Sequence, residues 1–174
     1  MKRIMIVGAP GSGKSTLARQ LGEATGLPVF HMDQIHWKAG WVERPLDEKV
    51  PMAHEVEAGE RWIFEGGLSA TYENRAAQAH MIIWLDLPMV VRLFRVFKRI
   101  CTYRGETRPD LPEGCPEHLN FEFLHYIVTT NRRHRAKLKD LIERHSDTPI
   151  VHLRSGRDVD RWRIEVEQGG LVTA

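Results

Sequence analysis

Cysteine, long apolar runs and charge of one sign are all scarce in this sequence, and each scarcity excludes something. Cysteine occurs only at Cys101 and Cys115, too few for a disulfide framework and consistent with a compartment that keeps thiols reduced. No apolar run approaches the roughly 18 residues that a membrane-spanning helix requires. The opening MKRIMIVGAP imitates a signal peptide, but its apolar part, IMIV, runs straight into a glycine-rich turn. It reads as a first strand, and the expected location is the cytoplasm. The 25 Lys and Arg residues against 23 Asp and Glu leave a net charge of +2, which argues against nucleic acid as a partner held by bulk charge. Repeats, low-complexity tracts and linkers are absent too. The 174 residues therefore suit one domain, 1–174, with a mobile insertion.

What is present alternates between short apolar runs and helical periodicity. RIMIV (3–7), PVFH (28–31), WIFEGG (62–67), MIIWLDLP (81–88) and PIVHL (149–153) read as five strands, and strands alternating with helices imply a parallel sheet covered on both faces. Helical spacing places Leu17, Ala18 and Leu21 on one face of 15–25, with Gly26 ending that helix. In 89–100 the apolar set Val90, Leu93, Phe94, Phe97 and Ile100 predicts a core face, with Arg92, Arg95 and Arg99 sharing another side. Residues 104–117 hold three prolines and two glycines and predict an irregular lid. The helix expected over 118–144 carries a polar break at Asn131 and Arg135. SGRD starts a last helix, with Ser155 as N-cap and Asp158 at the capping-box position.

GAPGSGKST, residues 8–16, carries the chemistry. It fits G-x-x-x-x-G-K-[ST] between a predicted strand and a predicted helix, the context that a phosphate-binding loop requires. Gly8, Ala9, Pro10, Gly11, Ser12, Gly13, Lys14, Ser15 and Thr16 are expected to hold ATP. The glycines let backbone N–H groups converge on phosphate oxygens, Lys14 reaches the β and γ phosphates, and the Ser15 hydroxyl ligates Mg2+. Carboxylates at strand ends, Asp33, Glu65 and Asp86, are candidates for completing the magnesium site. Asp33 and Glu65 rank first, because Asp86 precedes a helix start at Pro88 and suits a cap.

With GAPGSGKST, MDQIHW, WIFEGG, IIWLDLP, RVFKR and VHLRSGRDVDRW, the chain resembles the adenylate kinase-like group of small P-loop kinases, and within it the bacterial topology modulation proteins. The resemblance implies an α/β P-loop NTPase three-layer sandwich: a five-stranded parallel sheet of order 2-3-1-4-5 with helices on both faces. It further implies an acceptor region at about 33–75 and a lid insertion at about 101–118. By the same resemblance Arg154 contacts the adenine. Arg99, Arg104 and Arg108 on one side and Arg132 and Arg135 on the other gather the transferring phosphoryl group, beside catalytic Lys14. Glu65 stands where adenylate kinases carry an Asp, but the Arg of that motif has no counterpart at its place, which argues against strict adenylate kinase activity.

Asp33, His36, Trp37, Trp41, Gly66 and Arg75 are the candidate acceptor contacts. Two tryptophans suit a base or the apolar face of a sugar, and Asp33 and His36 could bind or deprotonate a hydroxyl. Arg44 and Arg75 would serve a phosphorylated acceptor; a polyol needs neither. Zinc is not expected, since Cys101, Cys115 and His118 give three ligands without paired spacing. The favoured reading is Mg-ATP-dependent phosphotransfer to a nucleotide, nucleoside or hydroxylated metabolite by a monomer or homodimer. The competing reading is a regulatory ATP-binding protein that affects DNA topology or transcription.

Overall fold

The apolar runs form one parallel sheet in the computed structural model, which describes residues 1–169; residues 170–174 of the expected domain lie outside the described residues. Its strands are β1 (Arg3–Gly8), β2 (Val29–His31), β5 (Trp62–Glu65), β6 (Met81–Leu85) and β7 (Ile150–Leu153). Between the second and third of these, the chain makes a two-stranded antiparallel ribbon, β3 (Trp37–Lys38) with β4 (Val42–Glu43). In chain order the sheet therefore reads β2-β5-β1-β6-β7, not 2-3-1-4-5. Two-residue strands carry no periodicity, so the ribbon leaves no trace in the sequence pattern.

Period-2 alternation divides the core. Met5, Val7, Trp62, Phe64, Ile82 and Trp84 face one side. There they meet α3 (Leu46–Glu57), α4 (Tyr72–Gln78) and α6 (Phe121–Arg144). Ile4, Ile6, Ile63, Ile83 and Leu85 face the other side, against α1 (Lys14–Thr25) and α7 (Gly156–Gly169). Helix ends follow local chemistry: Gly26 closes α1 in the left-handed region at φ 65°. Asn120 caps α6 by accepting from Phe123 N at 3.0 Å. Ser155 and Asp158 exchange side-chain-to-backbone hydrogen bonds of 3.2 and 2.8 Å at the start of α7, a complete capping box.

Helix α5 (Met89–Thr102) buries Ile100 and packs Leu93 as its periodicity predicts, but not the rest of that face. Val90, Phe94 and Phe97 are exposed at 75%, 67% and 58%, while Arg92, Val96 and Ile100 are buried. The reason lies in what the inward face meets. Arg92 donates to the carbonyls of Leu87 and Pro10 and to Asn131, and Arg95 donates to the carbonyl of Ser12. Main-chain oxygens that would be stranded beside an apolar face need donors. Asn131, one half of the polar break in α6, finds its partner in Arg92. Among the described residues no helix is long and apolar enough to cross a membrane.

Candidate active site

The phosphate loop joins β1 to α1 with its glycines in the left-handed region, Gly11 at φ 78° and Gly13 at φ 97°. A Cβ on Gly11 would lie 2.6 Å from the Arg92 carbonyl, so α5 can press onto the loop only because that side chain is missing. Among the described residues no side chain caps the N-terminus of α1, and the buried hydroxyl of Ser12 has no hydrogen-bond partner. Lys14 folds back onto the Ala9 carbonyl at 3.3 Å. Burial lowers its pKa, opposed by Glu65 and Asp33 and reinforced by Arg99 and Arg92. Free helix N–H groups, an orphan hydroxyl and a half-buried cation form a cradle for polyphosphate.

Beside it, parallel pairing sets His31 at the end of β2 opposite Glu65 at the end of β5. His31 Nδ1 lies 2.7 Å from Glu65 Oε1, and the Ser15 hydroxyl donates to the same oxygen at 3.0 Å. A hydroxyl and a carboxylate so placed at the foot of the loop are hard oxygen donors that fit magnesium completed by phosphate oxygens and water. The carboxylate of Asp33, on α2 (Met32–His36), has no hydrogen bond or ion pair among the described residues. Its pKa is pushed up to about 6 by burial and by Glu65, with Lys14 and Arg108 pulling it down.

Arg108 and Arg99 converge on Glu117, at 2.7 and 2.8 Å, and Arg108 also pairs with Asp110 at 2.5 Å. The segment 104–117 lies against α2 and the turn after it: Gly40 N donates to Gly114 O at 2.8 Å, Gln34 to Pro109 O at 3.2 Å, and Trp41 Nε1 to Pro116 O at 3.0 Å. Trp41 holds φ 61°, a conformation costly for a bulky residue; its indole hydrogen bond and its edge contacts with Trp37 and His118 support it. Arg104 is exposed.

A cleft of about 370 Å³ opens on the far side of the loop, lined by Ala9, Asp86, Arg92, Asn131, His134, Arg135 and Arg154, among others. Asp86 does not cap α5. It takes a bidentate pair from Arg135, with contacts of 2.9 and 2.9 Å, and a further one from His152 at 3.1 Å. His152 stacks on Trp84 at 4.1 Å. Arg135 therefore sits at this cleft rather than with the arginines near Glu117; Arg132 is exposed. His134, which the sequence reading missed, has a buried, unpartnered Nδ1. Its pKa is lowered to about 4 by burial and then by Lys14, Arg92 and Lys137.

Other expected contacts land elsewhere. Arg75 is fully buried: it pairs with Glu57 at 3.1 Å, donates to Gly66 O and Thr71 Oγ1 at 2.9 Å each, and covers the Phe64 ring. Its donors are spent on shaping the turn after β5, so it cannot reach an acceptor phosphate. Gly66 occupies that turn at φ 101°, where a Cβ would strike Met32. Arg44 Nε donates to Ile35 O. His36 lies between Lys49 and Glu43, and burial and Lys49 lower its pKa. His31, Glu117, Asp110 and Glu57 were also missed; the strand-end position of His31 beside Glu65 was the one available signal.

A parallel sheet, a phosphate loop with Lys14 and Ser15 at its end, and strand-end carboxylates beside it define a P-loop phosphotransferase. The chain belongs to the AAA domain family, whose model matches residues 4–108. It is 28% identical over 137 residues to a shikimate kinase of Rhodococcus jostii (strain RHA1), covering 70% of this chain and 77% of that protein. It is 28% identical over 171 residues to a probable gluconokinase of Schizosaccharomyces pombe, covering 95% and 80%. The unliganded crystal structure of a sugar kinase from Janibacter sp. HTCC2649 superposes with a TM-score of 0.54 at 16% identity, covering 100% and 99%, a likeness of fold. The chain is a small-molecule kinase that uses ATP to phosphorylate a small acceptor.

Proposed function

We propose that the acceptor is a hydroxylated metabolite, phosphorylated where α2, β5 and the segment 104–117 meet the phosphate loop, with the chain working as a single domain. The free Asp33 carboxylate beside Lys14 carries this reading. Residues 8–16 hold the nucleotide, and Arg154 at the cleft contacts its base. Magnesium bound with the nucleotide, held by Ser15 and by waters on Glu65, would supply positive charge against the β and γ phosphates. Lys14, Arg99 and Arg108 offset the charge on the transferring group, as positioning and electrostatics dominate such reactions. Asp33 takes the acceptor's hydroxyl proton as its oxygen forms the new bond to the γ phosphorus. The bond from that phosphorus to the β–γ bridging oxygen breaks, and ADP leaves. His36 and Trp37 line the acceptor side, while Trp41 anchors the segment that acts as lid over 101–118 and excludes water.

The motif pattern shared with topology modulation proteins supports a place in that subgroup. Incubation of the protein with Mg-ATP and a panel of polyols, sugar acids, nucleosides and nucleotides, following ADP and phosphorylated product, tests the activity. Lys14→Ala is expected to lower transfer about 1,000-fold with the fold intact. Unchanged turnover, or tight salt-dependent DNA binding without ATP, would overturn the reading.

A further inference from the structure

Cations are plentiful around the acceptor region, yet the buried ones are all committed. Arg75 is fully enclosed and paired with Glu57. Lys49, 3% exposed, is held by Glu43 at 2.6 Å. Arg108, 8% exposed, is shared between Asp110 and Glu117. At the rim, Arg44 spends Nε on the Ile35 carbonyl at 2.9 Å and Nη1 on Glu48 at 3.2 Å, and Lys38 shares Glu48 at 3.0 Å. Glu65 is occupied by His31 and Ser15. Among the described residues the Asp33 carboxylate, an acid, has no such partner.

A carboxylate or phosphate on the acceptor would need a guanidinium or ammonium free to receive it, usually in two-pronged fashion. Here it would meet an unpaired aspartate and cations already paired, those of Arg75 and Arg108 with buried carboxylates that their departure would leave stranded. A neutral molecule with several hydroxyls meets no such cost. Its hydroxyls can donate to Asp33 and exchange hydrogen bonds with His36, and its apolar face can lie against Trp37.

We infer that the acceptor is an uncharged polyhydroxyl compound, a polyol or nucleoside, and not a carboxylate or a phosphate ester. This rests on the kinase reading above and deepens it. The acids named for the relatives, shikimate and gluconate, would then be poor acceptors for this chain.

Matched pairs test it: an alditol against its aldonate, a nucleoside against its 5′-monophosphate, and the methyl ester of shikimate against shikimate. Each is assayed for kcat/KM with Mg-ATP, and ATP binding is measured separately by equilibrium dialysis. The expected result is an uncharged member turned over at least about 100-fold better than its anion. Glu43→Gln, altering an exposed carboxylate and releasing Lys49, is expected to narrow that ratio about tenfold. Preference for the anion in any productive pair overturns the inference and leaves the kinase assignment standing. Turnover of neither member of any pair, with ATP still bound, overturns it as well. Failure to bind ATP is failure of the kinase reading itself.

Discussion

The hydroxyl of Ser15 donates to Glu65 Oε1 across 3.0 Å and 50 residues of sequence, tying the first turn of α1 to the end of β5. Glu65→Gln keeps the shape and weakens acceptance of that bond and of any magnesium-bound water. The magnesium concentration for half-maximal turnover is expected to rise about 10-fold to 100-fold, read from initial rates against free Mg2+. An unchanged requirement would remove Glu65 from the metal's surroundings.

Arg75 and Glu57 form an ion pair in which neither side chain is exposed. Arg75→Ala leaves the buried Glu57 carboxylate to Asn74 and His54, without its cation, and about 3–5 kcal/mol of stability is expected to go, measured by urea unfolding. The double variant Arg75→Met/Glu57→Leu should lose less than the single, since it leaves no charge without a partner. Equal losses would mean that packing over Phe64, not charge, sets the cost.

Glu117 gathers Arg99 and Arg108 onto one carboxylate. Its replacement by Gln is expected to loosen 104–117 from the turn at Gly40. Amide exchange in that segment should quicken about tenfold, equivalent to roughly 1.4 kcal/mol of lost protection. Exchange at the native rate would place the hold in the backbone contact of Gly40 with Gly114 instead.

His134 is neutral in the fold, its pKa depressed from 6.5 to about 4. Between those two values the unfolded chain binds a proton that the folded chain refuses, so stability present above pH 6.5 is lost as the pH falls toward 4. The loss should be on the order of 2 kcal/mol. Unfolding midpoints compared at pH 7 and pH 4.5 should differ less in His134→Gln than in the native chain; an equal difference would assign the acid sensitivity to other groups.

The phosphate loop was legible because its meaning is local: glycines, Lys14 and Ser15 act through a turn that nine consecutive residues, 8–16, specify. The strands at 3–7, 62–67 and 81–88 were legible for the related reason that apolar runs bounded by turns must be buried. Helix α5 was misread at Val90, Phe94 and Phe97, though not at Leu93 and Ile100, because periodicity divides a helix into faces without saying which face turns inward. The donors of Arg92 and Arg95 found carbonyls of the loop, and that decided the orientation against Phe94 and Phe97. Arg75 was misassigned for a comparable reason: an arginine beside a candidate site looks like a ligand for phosphate until Glu57, from another helix, is seen to neutralise it.

By itself the sequence determined the phosphate loop, the strand-and-helix alternation and the presence of acids at strand ends, all of which depend on residues close together in the chain. Tertiary structure alone decided which charges remain free. Arg108 found Asp110 and Glu117, Asp86 found Arg135 and His152, and the Asp33 carboxylate found none among the described residues. Pairing in a partly dehydrated site depends on separations of a few ångströms between segments distant in the chain, and no local pattern encodes them.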